Sequence, residues 1–174
     1  MKYAITGHTS GIGHELFKQL SPDIIGFSKT TGYDICQTKD RQQIIDESYE
    51  CDIFINNAHN GYCQTEMLYE VFNTWKDMDK LIINIGSDTT CGIKNKAWQY
   101  SAEKAALDKA NEQLGFLKKA CKVSMVRFGF VGTPRIIEYF NPKTFITLED
   151  SAKIIICQLP WMKKYRLLDF TITS

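Results

Sequence analysis

The sequence alternates short apolar runs with longer amphipathic segments, and this pattern limits the possible folds more than any other feature. Apolar runs typical of strands lie at residues 2–6, 24–28, 52–55, 80–85, 123–127 and 167–172. Segments typical of helices lie between them, at residues 11–20, 40–48, 66–77, 98–120 and 148–159. Strands that alternate with helices form βαβ units, which build a parallel sheet. The sequence therefore predicts an α/β domain with helices on both faces of that sheet.

Length and composition indicate one domain, spanning residues 1–174, and argue against several other classes of protein. The chain has 174 residues, of which 44% are hydrophobic, enough for a core of ordinary size. Its formal net charge is +1, and acidic and basic residues are interspersed, so no nucleic-acid partner is indicated. No apolar run approaches the roughly 18 residues that a membrane span needs, and the first residues do not resemble a signal peptide. We therefore expect a cytoplasmic protein that does not contact a membrane.

The cysteines and histidines give no sign of a metal site. The six cysteines, at positions 36, 51, 63, 91, 121 and 157, are scattered and include no CxxC pair. A disulfide framework is uncommon at this size in a reducing compartment. The three histidines, at positions 8, 14 and 59, form no cluster along the sequence. We expect free thiols and no bound metal.

Three glycines, Gly7, Gly11 and Gly13, fall between the first predicted strand and the first predicted helix. Such a turn presents backbone N–H groups and the positive end of a helix to a pyrophosphate, and side chains there would block its approach. Tight turns and helix ends also use glycine, so this spacing alone is a weak sign of a dinucleotide site.

A tyrosine and a lysine lie four residues apart, at Tyr100 and Lys104, in the longest predicted helix. At this spacing the two side chains share one helix face. A nearby ammonium group favours the phenolate and lowers the phenol pKa, which would make Tyr100 a usable general acid and base. The two residues can also simply share a surface.

Four ordered motifs together resemble the short-chain dehydrogenase/reductase family. They are Thr6-Gly7-His8-Thr9-Ser10-Gly11-Ile12-Gly13, Asn56-Asn57-Ala58, Ser87, and the pair Tyr100 and Lys104. The resemblance covers residues 2–135. It implies a Rossmann-type, doubly wound, mostly parallel sheet in a three-layer sandwich, with strand order 3-2-1-4-5-6 and a seventh strand at the edge. It also implies an NAD(P)-dependent enzyme that interconverts a small-molecule carbonyl and an alcohol.

By the same resemblance, catalysis would use four residues. Tyr100 would exchange the proton with the substrate oxygen, Lys104 would lower the phenol pKa and bind the nicotinamide ribose, and Ser87 would hold the substrate oxygen. The fourth would be an asparagine that organises a water relay to the lysine. Asn60, 27 residues before Ser87, fits the usual spacing, whereas Asn73 is only 14 residues before it; a simple Asn-Gly turn is the alternative explanation for Asn60. Ser87 can also be read as a cap after a strand.

The resemblance also implies a set of cofactor contacts. They are Gly7, Thr9, Ser10, Gly11, Ile12, Gly13, Ser28, Lys29, Asp34, Ile35, Asn57, Ala58, His59, Tyr100, Lys104, Val131 and Thr133. His59 replaces the glycine that the family usually has, and would either crowd the cofactor or add a polar contact. Asp34 and Thr133 can also be simple turn residues.

The end of the second predicted strand favours NADP(H) over NAD(H). NAD enzymes usually place an acid there to bond the ribose 2′-hydroxyl. Here Ser28 and Lys29 follow the strand, and a hydroxyl and a cation suit a 2′-phosphate, although Lys29 can also be a solvated loop lysine.

The chain is shorter than most members of the family, and only residues 135–147 remain for a substrate lid. A short lid implies an open substrate pocket. Two alternatives to an oxidoreductase remain: a nucleotide-binding sensor or scaffold with little catalysis, and a nucleotide-sugar epimerase or dehydratase, for whose substrate domain the chain lacks room. A homodimer or homotetramer is expected through residues 66–77 and 98–120, if apolar positions such as Leu107, Leu114 or Leu117 are exposed.

Overall fold

In the computed structural model, which describes residues 1–92, 98–140 and 143–173, six parallel strands form one sheet. The strands are β1 (Tyr3–Thr6), β2 (Ile24–Phe27), β3 (Ile53–Asn56), β4 (Leu81–Ser87), β5 (Lys122–Phe128) and β6 (Asp169–Ile172). The helices are α1 (Gly11–Leu20), α2 (Thr38–Glu47), α3 (Cys63–Trp75), α4 (Gln99–Gly115), α5 (Pro134–Phe140) and α6 (Leu148–Lys164). Every neighbouring pair of strands is parallel.

Helices cover both faces of this sheet, so the predicted three-layer α/β fold is confirmed. One core lies between the sheet and α2, α3 and α4, and includes Ile44, Phe54 and Trp75. The other lies between the sheet and α1 and α6, and includes Leu16 and Ile155. The central strands are apolar without alternation because both of their faces are buried; all seven residues of β4 are buried.

The strand order is β2-β1-β3-β4-β5-β6, so the predicted order 3-2-1-4-5-6 with a seventh strand is wrong in one respect. The strand expected outside the second strand is absent, and β2 forms the edge of the sheet. The reason is length, because residues 28–52 hold a short 3-10 turn and α2 and leave no room for another strand and helix. Ile25 on β2 is accordingly 39% exposed.

A chain of buried amides ties the middle of the sheet to α4. Asn56 Nδ2 donates to Asn84 Oδ1 at 2.9 Å, and Asn84 Nδ2 donates to Asn111 Oδ1 at 3.0 Å. Asn111 Nδ2 in turn donates to the Leu168 carbonyl oxygen at 3.0 Å. Buried amides are costly unless they are paired, so this chain of hydrogen bonds fixes α4 relative to β3 and β4.

The apolar positions of α4 that bear on assembly divide between the core and the surface. Leu107 and Leu114 are 1% and 7% exposed and pack in the core, whereas Leu117, just beyond the helix, is 53% exposed. The first two therefore stabilise the monomer, and a homo-oligomer stays a prediction.

Two of the cysteines form a disulfide, which corrects the expectation of six free thiols. Cys36 follows β2 and Cys63 begins α3, and their Cα atoms lie 5.2 Å apart. Cys51, Cys91, Cys121 and Cys157 are free. The two bonded cysteines are 27 residues apart in sequence, and only the packing of α3 beside the β2–α2 loop brings them together.

Replacing both bonded cysteines, as in Cys36→Ser with Cys63→Ser, should lower the free energy of unfolding by about 2–4 kcal/mol, because the cross-link restricts the unfolded chain. Urea denaturation without reductant measures this change. Cys91→Ser, at an exposed free cysteine, is the matched control and should leave the midpoint unchanged. Equal stability of the double variant and the parent would contradict the cross-link.

Candidate active site

A cleft of about 460 Å³ opens at the carboxyl ends of β1, β2 and β3. At this point the chain connections run to opposite sides of β1. Helix α1 connects β1 to β2 on one side, and α2 connects β2 to β3 on the other. Ligands of open α/β sheets bind at such a point. Predicted site residues that line the cleft are Gly7, Thr9, Ser10, Gly11, Ile12, Ser28, Lys29, Asp34, Ile35, Asn57, Ala58, His59, Asn60 and Thr133. Phe27, Thr30 and Tyr33 also line it, although no motif marks them.

The glycine turn can form only without side chains. Gly7 and Gly11 have φ values of 75° and 57°, in the left-handed region that favours glycine. Gly13 does not line the cleft but lies behind it, where a Cβ atom would stand 2.2 Å from the Gly7 carbonyl oxygen and 2.5 Å from Asn57 Nδ2. The turn is thus packed tightly against the end of β3.

Thr6 and Asn57 hold the ends of β1 and β3 together. Thr6 Oγ1 accepts hydrogen bonds from the backbone N–H groups of Asn57 and Ala58, both at 3.0 Å. Asn57 Nδ2 donates to the carbonyl oxygens of Thr6 at 3.0 Å and Gly7 at 3.2 Å. Asn57 therefore shapes the glycine turn, and Thr6, which the sequence did not single out as a site residue, is its reciprocal partner.

Hydroxyl groups and one cation collect at the end of β2. Ser28 Oγ lies 2.8 Å from Thr30 Oγ1, which donates to Thr9 Oγ1 at 3.2 Å. Lys29 Nζ lies 2.8 Å from Asp34 Oδ2, and the Lys29 side chain is 76% exposed. The Lys29 ammonium lowers the pKa of Asp34, and the Asp34 carboxylate raises the pKa of Lys29. Asp34 Oδ1 also accepts from the Cys36 N–H at 3.0 Å, so Asp34 is a turn residue as well.

Lys104 is buried next to the ring of Tyr100. Its side chain donates to Gln64 Oε1 at 2.8 Å and to the Ile85 carbonyl oxygen at 2.9 Å. Its Nζ lies 5.7 Å from the centroid of the Tyr100 ring, and Tyr100 is 39% exposed. Burial lowers the pKa of Lys104 from 10.5 to about 7, against the opposing charges of Asp108 and Glu103. An ammonium that titrates near neutral pH thus lies close to the phenol.

Gln64 is the residue at this site that sequence reasoning missed. It lies in the first turn of α3, is 1% exposed, and its Nε2 donates to the Asn56 carbonyl oxygen at 2.7 Å. Its orientation is therefore set by β3, and its oxygen faces Lys104. No family motif includes a glutamine here, and only the helical spacing after the turn at residues 60–62 could have suggested it.

Ser87 and Asn60 occupy the two turns that flank this region. Ser87 ends β4, is 7% exposed, and its Oγ accepts from the Thr89 N–H at 3.3 Å, so it caps the short 3-10 turn Asp88–Thr90. Asn60 lies on the cleft wall in the turn before α3, and its carbonyl oxygen accepts from the Cys63 N–H at 3.1 Å. The contacts of Lys104 described above are to Gln64 and Ile85 rather than to Asn60.

The segment predicted to cover the substrate begins with α5. Thr133 Oγ1 accepts from the Ile136 N–H at 3.2 Å and caps this helix, while Thr133 also lines the cleft. Val131 is 5% exposed and pairs with Ile146, so it lies in the core rather than on the cleft wall. The predicted lid at 135–147 thus contains α5 and a return segment held at Ile146; its residues 141 and 142 lie outside the described part of the chain.

The residues of the cleft suit a dinucleotide. The glycine turn leaves space that side chains would fill, the N-terminus of α1 faces it, and the hydroxyls of Thr9, Ser28 and Thr30 lie at one end. His59 also lines the cleft, at the position where the family resemblance expects glycine.

The sequence matches no family model and no curated protein, but the structure resembles many solved ones. A short-chain dehydrogenase from Burkholderia cenocepacia in complex with NADP matches with a TM-score of 0.80 over 100% of this chain and 90% of its own, at 16% identity. The fold is that of the short-chain dehydrogenases/reductases. A closed serine dehydrogenase complexed with NADP+ matches with a TM-score of 0.81 over 99% of this chain and 94% of its own, at 15% identity. A 4-hydroxyisoleucine dehydrogenase complexed with NADH matches with a TM-score of 0.80 over 99% and 97%, at 18% identity.

The described residues include neither a helix for a membrane span nor a group of metal ligands. None of the helices they form is long and apolar enough to cross a membrane. Among the same residues, no group of three or more histidine, cysteine or acidic side chains could hold a metal ion.

The burial of Lys104 should make stability depend on pH. Between pH 10.5 and about 7 the unfolded chain binds a proton that the folded chain does not. Stability should therefore fall as the pH is lowered through this window, by up to about 1.4 kcal/mol per pH unit from this group. Lys104→Met should remove that part of the slope in urea denaturation at a series of pH values.

Lys39→Met, at an exposed lysine of α2, is the matched control and should keep the parental slope. An unchanged slope in Lys104→Met would show that Lys104 is not buried as described.

Proposed function

We propose that this protein is an NADP(H)-dependent oxidoreductase that interconverts a small-molecule carbonyl and an alcohol, with Tyr100 as the general acid and base. The observation that carries the proposal is the buried Lys104 ammonium, 5.7 Å from the Tyr100 ring centroid. A buried lysine is costly and here has a pKa of about 7. Perturbed groups of this kind beside a cleft are typical of functional sites.

The cofactor would bind across the glycine turn. Backbone N–H groups at the N-terminus of α1 would hold the pyrophosphate, and Asp34 and Ile35 would flank the adenine. Tyr100 and Lys104 would contact the ribose next to the nicotinamide, and Val131 and Thr133 would contact the carboxamide, Val131 through its backbone. The nicotinamide, when bound, supplies or accepts the hydride.

The side chains of this protein would manage the proton. In reduction, Tyr100 would give its phenolic proton to the substrate oxygen; in oxidation, it would remove that proton from the alcohol. Lys104 in its protonated form would favour the phenolate, and this effect would fade above pH 7 as Lys104 loses its charge. Ser87 Oγ accepts from the Thr89 N–H, and its own O–H can donate to the substrate oxygen.

Gln64 would support Lys104 from behind. Gln64 accepts its hydrogen bond directly at 2.8 Å, which gives this glutamine the place that a relay through Asn60 would otherwise take. Asn60, on the cleft wall, stays a prediction as a catalytic residue. A cytoplasmic location and a homodimer or homotetramer also stay predictions.

NADP(H) is the proposed form of the cofactor because the end of β2 carries hydroxyls and a cation. Ser28, Thr30 and Thr9 form a row of hydroxyls beside Lys29, and such groups bind a phosphate well. Asp34 competes for the Lys29 ammonium at 2.8 Å. Binding of a 2′-phosphate would therefore require Lys29 to exchange one anionic partner for another.

Tyr100→Phe should lower kcat by about 10²–10⁴-fold, because it removes only the proton donor. The dissociation constant for NADPH should change by less than about threefold, since a single hydrogen bond to an exposed ribose contributes little. Turnover of a carbonyl panel and NADPH fluorescence measure the two quantities. Tyr62→Phe, at a tyrosine that is 49% exposed beside α3, is the control; parental activity in Tyr100→Phe would refute the catalytic role.

Lys29→Ala should weaken NADPH binding by roughly tenfold while leaving NADH binding nearly unchanged, because one charge-assisted contact is worth about 1.5–3 kcal/mol. Asp34→Asn should strengthen NADPH binding, since it frees the Lys29 ammonium from its pairing with Asp34. Calorimetric titration of the parent and both variants with NADPH and NADH measures the six dissociation constants. An equal loss of NADPH and NADH affinity in Lys29→Ala would refute the phosphate contact.

A further inference from the structure

A histidine and a buried glutamate meet between the cleft and Tyr100. His59 Nε2 lies 3.0 Å from Glu103 Oε2, and the two side chains are 26% and 8% exposed. His59 directly follows the Asn-Asn-Ala segment after β3, while Glu103 lies on α4, one turn from Tyr100 and next to Lys104. The pair thus connects the cleft wall to the helix that carries the candidate acid and base.

The His59 ring also packs against the Tyr100 ring. Their centroids are 4.9 Å apart and their planes are inclined at 76°, an edge-to-face arrangement. Such contacts are favourable and depend strongly on orientation. Because His59 lines the cleft as well, one imidazole contacts both the cofactor site and the phenol.

Glu103 fixes the position of this imidazole. A carboxylate buried to this degree is unfavourable unless a partner offsets the loss of hydration. His59 is that partner at 3.0 Å, so its ring cannot rotate away without Glu103 losing this contact. A carboxylate that orients a histidine ring is a common way to hold an imidazole in one place.

Tyr100 lies near the start of α4 and is 39% exposed. The residues before α4, at 93–97, lie outside the described residues. On its described sides the ring faces His59 at 4.9 Å and the Lys104 ammonium at 5.7 Å.

We propose that His59, held by Glu103, is a positioning residue that fixes the Tyr100 ring between Lys104 and the cofactor cleft. This inference rests on the proposed function, since it assigns a role in proton transfer by Tyr100. It explains why a histidine occupies the position at which the short-chain dehydrogenases/reductases usually have glycine. A glycine there could make neither the ion pair with Glu103 nor the ring contact with Tyr100.

The test compares His59→Ala with His59→Phe, which keeps a ring against Tyr100. With NADPH and a carbonyl panel of benzaldehyde, cyclohexanone and diacetyl, His59→Ala should lower kcat by about 10- to 100-fold, as expected for a misplaced catalytic group. The KM for the carbonyl and the dissociation constant for NADPH should change by less than about threefold. His59→Phe should recover part of kcat, because its ring can still pack against Tyr100 but no longer bonds Glu103. His14→Ala, at an exposed histidine of α1, is the matched control.

Glu103 is tested in the same assay. Glu103→Gln keeps an oxygen that can accept from the imidazole and should keep most of the activity, whereas Glu103→Leu should resemble His59→Ala. Equal losses in His59→Ala and His59→Phe, or parental kcat in His59→Ala, would overturn the proposal. Glu103→Gln nearly conserves both volume and hydrogen bonding, so folding does not obscure the result of this variant.

A second readout needs no turnover and separates this inference from the proposed function. Tyrosine labelled at the phenolic carbon gives an NMR titration of each phenol, and Tyr100→Phe identifies the signal of Tyr100 among the eight tyrosines. His59→Ala should shift the titration midpoint of Tyr100 relative to the parent, and His59→Phe, which keeps only the ring contact, should restore it in part. An unchanged midpoint in His59→Ala would overturn the positioning role. If no carbonyl is turned over but the midpoint shifts, the proposed function fails and the positioning of Tyr100 stands.

Discussion

The reciprocal hydrogen bonds between Thr6 and Asn57 are the contact on which the site depends. They join the carboxyl end of β1 to that of β3, at the point where α1 and α2 leave the sheet in opposite directions. The Asn57 side chain also holds the Gly7 carbonyl oxygen, and Gly13 packs so tightly beneath it that only hydrogen fits. The shape of the glycine turn, and with it the shape of the cleft, therefore depends on the hydrogen bonds that join the ends of β1 and β3.

The same end of the sheet carries a buried charge. Lys104 is stabilised in the interior by Gln64 from α3 and by the Ile85 carbonyl from β4. Its pKa falls to about 7 because burial outweighs the nearby acids. Burial of Lys104 thus costs stability and keeps its side chain close to the Tyr100 ring, and the proposed proton transfer depends on this arrangement.

Much of the fold could be predicted from the sequence because parallel strands are buried on both faces and appear as continuous apolar runs. The strand bounds, the glycine turn and the cleft residues before α1 follow from that pattern. The absent edge strand was not foreseen, because the order came from a resemblance rather than from the length of residues 28–52.

Contacts between residues that are distant in sequence could not be predicted from the sequence. Cys36 and Cys63 are 27 residues apart and meet only through the packing of α3. Gln64 belongs to no motif, and the pairing of Lys29 with Asp34 or of His59 with Glu103 depends on loop geometry that no local pattern encodes. Many of the residues that line the cleft belong to motifs in the sequence, but the motifs do not predict which of them hold one another in place.

Calorimetric titration of the full chain with NADPH and with NADH is the most direct test of the proposal that the cleft binds NADP(H). We expect saturable binding of NADPH at one site per chain, tighter than that of NADH. Absence of binding by either nucleotide would contradict it, because the glycine turn and the Thr6–Asn57 cross-link would then not form a dinucleotide site.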